Sequence, residues 1–135
     1  MSSTTSRILY VDDDSDDRYF LGLSLSETCS SVKLVCASNG EEALSYLNSI
    51  DRSDLPSLIV LDLNMPKWDG RKTLSHIKKQ PDLADIPIVI FSTSESKLDQ
   101  EACKRLGATS YFKKPFHYEG YKQIIKSFLL LLGIF

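Results

Sequence analysis

The stretch LIVLDLNMPKWDG, from Leu58 to Gly70, joins an apolar segment to a carboxylate and then to a proline turn. Leu58–Leu61 is continuously apolar rather than alternating, which is typical of a strand in a parallel sheet that helices cover on both faces. Asp62 follows this strand directly, and Asp69 can cap a following helix. Asp62 is therefore either a turn residue or a functional group at the carboxyl end of a strand, and the rest of the chain decides between the two.

Four further segments are short, apolar and rich in β-branched or aromatic residues. They predict strands at Ile8–Val11, Val32–Ala37, Ile86–Phe91 and Ser110–Phe112. Together with Leu58–Leu61 they make five strands, and helical stretches separate them.

Cap and stop residues mark these helices. The starts fall at Asp14 or Ser15, at Asn39 with Glu42 three residues later, and at Asp69 before a stop at Gln80; a fourth helix runs from about Glu95 to Leu106, before Gly107, and the last begins after Pro115. In the last helix the apolar residues recur at the helical period: Tyr121, Ile124, Ile125, Phe128, Leu129 and Leu132. Five βα units in strict alternation predict an α/β fold, an open parallel sheet with right-handed crossovers.

Composition narrows the class of protein. The chain has 135 residues and a net charge of -2, with 42% apolar and 25% charged residues, which fits one domain with an ordinary core. The absence of a basic balance argues against a general nucleic-acid binder. Three scattered cysteines, no signal peptide and a C-terminal apolar run too short to span a bilayer predict a cytoplasmic protein without membrane insertion.

Polar residues follow four of the predicted strands. They are Asp12, Asp13 and Asp14; Asp62 and Asn64; Ser92 and Thr93; and Lys113 and Lys114. Ligands of open α/β sheets bind beyond the carboxyl ends of the strands, so acids, a hydroxyl and a lysine are expected at one mouth. Clustered carboxylates repel unless a cation joins them, and Mg²⁺ is usually held by one or two carboxylates and phosphate oxygens. The pattern predicts a metal, a phosphoryl group and Asp62 as nucleophile.

Four motifs, ILYVDDD, VLDLNMPKWDG, FSTS and KKPF, resemble in order and spacing the receiver domain of two-component response regulators. The resemblance runs from Arg7 to about Phe128. It implies a flavodoxin-like three-layer sandwich with strand order 2-1-3-4-5, as in stand-alone, chemotaxis-regulator-like members. It also implies one receiver domain over residues 1–135, with a core at about 7–132 and no output domain.

The resemblance further implies a role for each site residue. Asp62 is the phosphoacceptor and also a ligand of the metal ion. Asp13 binds Mg²⁺ (or Mn²⁺) directly, Asp12 supports the ion through water, and Asn64 contributes its backbone carbonyl. Lys114 and Ser92 contact the phosphoryl group, Ser92 and Tyr111 form the switch, and Pro115 follows a cis peptide bond. Thr93 stands where a smaller residue is common, and its bulk restricts access to Asp62.

Three other functions compete with this interpretation. A flavodoxin-like FMN carrier would place its phosphate against three aspartates, which repel it. A haloacid-dehalogenase-type phosphatase needs a general acid where the chain has Asn64. A degenerate receiver that acts only as a docking module, independently of phosphorylation, remains the alternative, although every group that phosphotransfer needs is present.

We therefore expect a single-domain response regulator that is phosphorylated by a histidine kinase or a histidine phosphotransfer protein. It would catalyse only its own phosphotransfer and dephosphorylation, and its output would be a downstream protein target that the sequence does not name. Leu130 is predicted to face away from the sheet, with Ile134 and Phe135 beyond Gly133. These residues suggest a homodimer through the fourth and fifth helices, or else a tail that folds back onto its own domain.

Overall fold

The computed structural model describes residues 6–65 and 68–134. The strands are β1 (Ser6–Val11), β2 (Val32–Ala37), β3 (Leu58–Leu61), β4 (Ile88–Ser92) and β5 (Ser110–Lys113). The helices are α1 (Ser15–Thr28), α2 (Gly40–Ser49), α3 (Gly70–Lys78), α4 (Lys97–Arg105) and α5 (Tyr118–Leu131). A short 3-10 turn covers Arg52–Asp54 before β3.

All five strands pair in parallel in one sheet of order β2-β1-β3-β4-β5. The predicted fold class and strand order are confirmed. β4 begins at Ile88 rather than at the predicted Ile86, because Pro87 has no amide hydrogen to donate to a neighbouring strand.

Alternate residues of the central strands enter two separate cores, which makes the three layers. Leu9, Ile59 and Ile90 belong to the core that α2, α3 and the buried Cys103 of α4 cover. Tyr10, Val60 and Phe91 belong to the core on the other face, beneath α1 and α5. Because successive side chains of a strand point to opposite faces, continuously apolar strands are what a sheet covered on both sides requires.

The predicted helix starts are largely correct. The side chains of Asp14, Asn39 and Asp69 each accept backbone N–H groups in the first turn of α1, α2 and α3. α4 is shorter than predicted, since Ser96 caps it. It stops before Gly107, whose φ of 106° is a left-handed conformation that glycine adopts without strain.

The expectation of a cis peptide before Pro115 is wrong. No peptide bond among residues 6–65 and 68–134 is cis. The trans form is favoured by about 0.5–1 kcal/mol at bonds that precede proline, and Lys114 reaches its partners with that bond in the trans form.

The end of α5 follows the predicted helical wheel. Tyr121, Ile125 and Phe128 are buried, whereas Leu130 is 59% exposed. Gly133 has a φ of 75°, so the chain leaves the helix there; Phe135 lies outside the described residues. None of the described helices has the length and apolar character needed to cross a membrane.

Candidate functional site

The backbone hydrogen bonds of the sheet continue for one residue past the ends of β1, β3 and β5, and they hold the backbone of the candidate site in place. Each bond joins the N–H of a site residue to a carbonyl of the neighbouring strand: Asp12 to Ala37 at 3.0 Å, Asp62 to Val11 at 2.9 Å, and Lys114 to Ser92 at 2.8 Å. The three side chains that the sequence places after β1, β3 and β5 therefore reach the same carboxyl edge.

Lys114 is the centre of this group. Its Nζ atom lies 2.7 Å from Asp12 Oδ2, 2.8 Å from Asp17 Oδ2 and 3.6 Å from Asp62 Oδ1. The Lys114 side chain is 7% exposed and Asp12 is fully buried, so these charges interact with little screening by water. The convergence of Asp12, Asp62 and Lys114 is as the sequence predicts, but the contact with Asp17 is not.

Several groups hold the Asp12 carboxylate in place. The hydroxyl of Tyr10 donates to Oδ2 at 2.5 Å, and the N–H of Asp14 donates to Oδ1 at 2.9 Å. Arg18 donates to the backbone carbonyl of Asp12 at 2.6 Å. Burial, with Asp12 nearby, raises the pKa of Tyr10 far above its usual value, so the phenol stays protonated and remains a donor.

Tyr10, Asp17 and Arg18 are site residues that sequence reasoning missed. Tyr10 and Asp12 are two residues apart on one strand, a spacing that places both on the same face and was a usable signal. Asp17 lies in the first turn of α1, where an acid is commonly found because it complements the helix dipole. Its contact with Lys114 spans 97 residues of sequence, and no local pattern indicates it.

The electrostatics of the site leave it with an excess of negative charge. Burial, followed by the repulsion of Asp12, raises the pKa of Asp62 to about 7, and Lys114 only partly opposes this rise. Burial disfavours the Lys114 ammonium, but its hydrogen bonds to Asp12 and Asp17 outweigh burial and raise its pKa. The Lys114 ammonium therefore offsets the charge of several carboxylates only in part, and the site favours the binding of a further cation.

The donor set fits a divalent ion. One carboxylate oxygen from each of Asp12, Asp13 and Asp62 lies within 4.8 Å of the other two. Asp13 is exposed, whereas Asp12 and Asp62 are buried, so the cluster opens to solvent on one side. Carboxylate oxygens are ligands that hard ions such as Mg²⁺ prefer.

The mouth above Asp62 is lined by acids, two hydroxyl residues, one asparagine and one lysine. The lining residues are Asp13, Asp14, Ser15, Asp17, Asp62, Asn64, Thr93 and Lys114. Thr93 is exposed there, whereas Ser92 is fully buried and its hydroxyl accepts the N–H of Ser94 at 3.2 Å. Of the two neighbouring hydroxyl residues, Thr93 lines the mouth and Ser92 does not.

Tyr111 is half-buried, and its hydroxyl donates to the carbonyl of Ser94 at 3.1 Å. This bond joins β5 to the loop between β4 and α4. Ser94 in turn contacts the predicted switch hydroxyl of Ser92. The two predicted switch residues are thus linked through one loop residue.

The turn after Asp62 depends on a glycine. A Cβ atom at Gly70 would lie 2.8 Å from the Leu63 Cα atom and still closer to the Asp62 carbonyl oxygen. The N–H of Gly70 also donates to the Leu63 carbonyl at 2.8 Å. The start of α3 therefore packs directly against the backbone of Asp62, and a side chain at position 70 would prevent this contact. Pro66 and Lys67 lie outside the described residues.

Residues 8–126 match the family described as the response regulator receiver domain. That match covers most of the chain and agrees with the sheet order, so the chain belongs to the receiver domain family of two-component phosphorelay signalling.

Individual relatives agree with this assignment. Response regulator Rcp1 of Synechocystis is 36% identical over 79% of this chain and 75% of its own length. Its Mn²⁺-bound crystal structure superposes with a TM-score of 0.80 at 30% identity, covering 92% of this chain and 91% of the other. The phosphorylated cyanobacterial phytochrome response regulator RcpA gives a TM-score of 0.84 at 32% identity, covering 93% and 92% of the two chains.

A probable transcriptional regulator of Porphyra purpurea, ycf27, is 35% identical over 96% of this chain. The matched region is only 49% of that relative. The likeness to ycf27 therefore concerns about half of a longer protein.

Proposed function

We propose that this protein accepts a phosphoryl group on Asp62 from a phosphohistidine of a histidine kinase or a phosphotransfer protein. A carboxylate oxygen of Asp62 attacks phosphorus, an acyl phosphate forms and the N–P bond of the donor breaks. Water later hydrolyses the acyl phosphate. The observation that carries the proposal is the position of Asp62, buried at an open mouth with an ammonium 3.6 Å away.

We propose Mg²⁺, or Mn²⁺, as the ion of this site. Asp12, Asp13 and Asp62 would hold it, with the backbone carbonyl of Asn64 as a further ligand. When bound, the ion would offset the charge of the incoming phosphoryl oxygens. The Mn²⁺-bound form of Rcp1 and the phosphorylated form of RcpA support this proposal by similarity.

Phosphorylation would act on the surface through Ser92 and Tyr111. Ser92 would turn its hydroxyl toward the new oxygens, which releases its bond with Ser94. Since Tyr111 also holds Ser94, the β4–α4 loop would rearrange as both contacts change. The output is binding to a downstream protein.

Acetyl phosphate tests the proposal without knowledge of the donor. In Mg²⁺ the protein is expected to gain one phosphoryl group, stable in acid and labile in base, that peptide mapping assigns to Asp62. Chelation of Mg²⁺ should prevent labelling, because the repulsion between carboxylates and phosphate is then uncompensated. Mass spectrometry provides the measurement, and a folded protein that takes no label would favour the docking-module alternative.

We further propose that a second copy of the chain covers the apolar end of α5. Leu130 and Leu131 are 59% and 40% exposed, and Ile134 is 37% exposed; these three residues are the tail patch. Two-fold pairing is the commonest way to bury such a surface.

Sedimentation velocity measures this pairing. Leu130→Glu combined with Ile134→Ser is expected to shift the protein from dimer to monomer, because a charge in an apolar interface is costly. Tyr19→Ser, at an exposed apolar residue of α1, should leave the dimer intact. If the wild-type protein is monomeric with and without acetyl phosphate, the dimer proposal is wrong.

A further inference from the structure

The lysine of the site is shared unequally among three acids. Lys114 Nζ forms its two short contacts with Asp12 and Asp17, while Asp62 Oδ1 is 3.6 Å away and beyond hydrogen-bond distance. An ammonium has three donors. In this structure two of the three are directed away from the proposed phosphoacceptor.

Asp17 links this lysine to two helices. It lies in the first turn of α1, and the hydroxyl of Tyr121 on α5 donates to its Oδ1 atom at 3.2 Å. Its other oxygen accepts Lys114 Nζ at 2.8 Å. The Asp17 carboxylate thus joins α1, α5 and the end of β5.

The two short contacts of Lys114 differ in how readily they can be exchanged. Asp12 is fully buried and is also bonded to Tyr10, so breaking its contact would leave a buried carboxylate with a lost partner. Asp17 is 23% exposed and water can replace the lysine there. When the ammonium turns toward a new anion on Asp62, the contact with Asp17 is the one that breaks.

We propose that Asp17 is a positioning residue that holds Lys114 toward α1 in the unphosphorylated protein and opposes its transfer to the phosphoryl group on Asp62. The proposal rests on the proposed phosphoacceptor function. Phosphorylation would then release Asp17 and Tyr121, so that α1 and α5 sense the state of the site independently of Ser92 and Tyr111. Tyr121 acts by fixing the orientation of the Asp17 carboxylate.

Beryllofluoride, a stable mimic of the phosphoryl group, tests this role in the full chain with Mg²⁺. Isothermal titration calorimetry measures the binding of beryllofluoride. Asp17→Asn should lower the half-saturating concentration about fivefold, the size typical of a partly exposed ion pair. Asp16→Asn removes the same charge from the exposed neighbouring residue of α1 and should change it less than about twofold.

Tyr121→Phe separates positioning from general electrostatics, because it removes no charge and keeps the buried ring. Alone it should lower the half-saturating concentration by a smaller factor than Asp17→Asn. Combined with Asp17→Asn it should add nothing, since the hydroxyl acts only through that carboxylate. Asp17→Glu, which restores the charge, should return the half-saturating concentration toward that of the wild type. Should Asp17→Asn fail to fold, Tyr121→Phe carries the same test.

Each outcome has a distinct meaning. Equal changes in Asp16→Asn and Asp17→Asn would show a simple charge effect and overturn the positioning role, as would no change in Asp17→Asn. A folded wild-type protein that does not respond to beryllofluoride, while all variants are equally silent, would instead contradict the proposed phosphoacceptor function and the positioning role with it.

Discussion

Asp62→Asn is expected to abolish labelling by acetyl phosphate completely. The amide of asparagine is not a nucleophile toward phosphorus, and it removes one of the three carboxylates that would hold the metal ion. Asp17 also lines the mouth and contacts Lys114, but it lies outside the group of three carboxylates that would hold the metal ion. Intact-mass measurement after incubation with acetyl phosphate and Mg²⁺ tests the loss.

Asp51→Asn is the matched control, because Asp51 is an exposed acid whose side chain makes no cap hydrogen bond. This variant should label like the wild type. Circular dichroism should show that both variants are folded. Labelling of Asp62→Asn at the wild-type level would remove Asp62 as the phosphoacceptor.

Asp62→Asn is also expected to stabilise the metal-free protein above pH 7. Burial and Asp12 raise the pKa of the Asp62 carboxyl from 3.8 to about 7. Between these two values the folded protein therefore binds more protons than the unfolded chain. The free energy of unfolding of the wild type then falls as pH rises from about 4 to about 7, and the full penalty of the ionised carboxylate is present above pH 7.

Asparagine does not ionise, so the variant escapes this penalty. A tenfold change in proton affinity corresponds to about 1.4 kcal/mol. The free energy of unfolding of Asp62→Asn, relative to that of the wild type, should therefore increase by roughly 2–4 kcal/mol between pH 4.5 and pH 8. Urea unfolding with a chelator at both pH values measures the difference. Adding Mg²⁺ at pH 8 should narrow it, because the ion stabilises only the protein that binds it.

Asp51→Asn again serves as the reference, since an exposed acid should show nearly the same difference from wild type at both pH values. A difference between Asp62→Asn and wild type that does not change with pH would contradict the raised pKa of Asp62. Reversal of the sign, with the variant losing stability relative to wild type as pH rises, would mean that Lys114 stabilises the ionised carboxylate more than burial and Asp12 destabilise it.

Local sequence signals were sufficient for most of the fold. The apolar run at Leu58–Leu61 and the caps at Asp14, Asn39 and Asp69 predicted elements that the structure confirms. Errors were confined to the ends of elements, such as the start of β4, because the pattern of side chains does not reveal which backbone groups are paired. The trans bond before Pro115 corrects an expectation that came from the resemblance and not from the residues.

The candidate site was predictable where it depends on the sheet. Parallel strands end at one edge, so Asp12, Asp62 and Lys114 had to approach one another once the strands were recognised. The sequence did not predict which of the two neighbouring hydroxyl groups, that of Ser92 or that of Thr93, is buried and which lines the mouth. Ser92 is buried and Thr93 lines the mouth, because strand β4 continues through Ser92 before the chain turns outward.

The sequence by itself determined the class of fold, the family and the residues at the carboxyl edge, because these follow from periodicity and from motifs in fixed order. Only the tertiary structure decided how Lys114 divides its hydrogen bonds among Asp12, Asp17 and Asp62. That division depends on the packing of α1 and α5 against the sheet, which brings side chains about 100 residues apart within 3 Å. Charges so close and so shielded from water interact strongly, and no local pattern in the chain reports their distance.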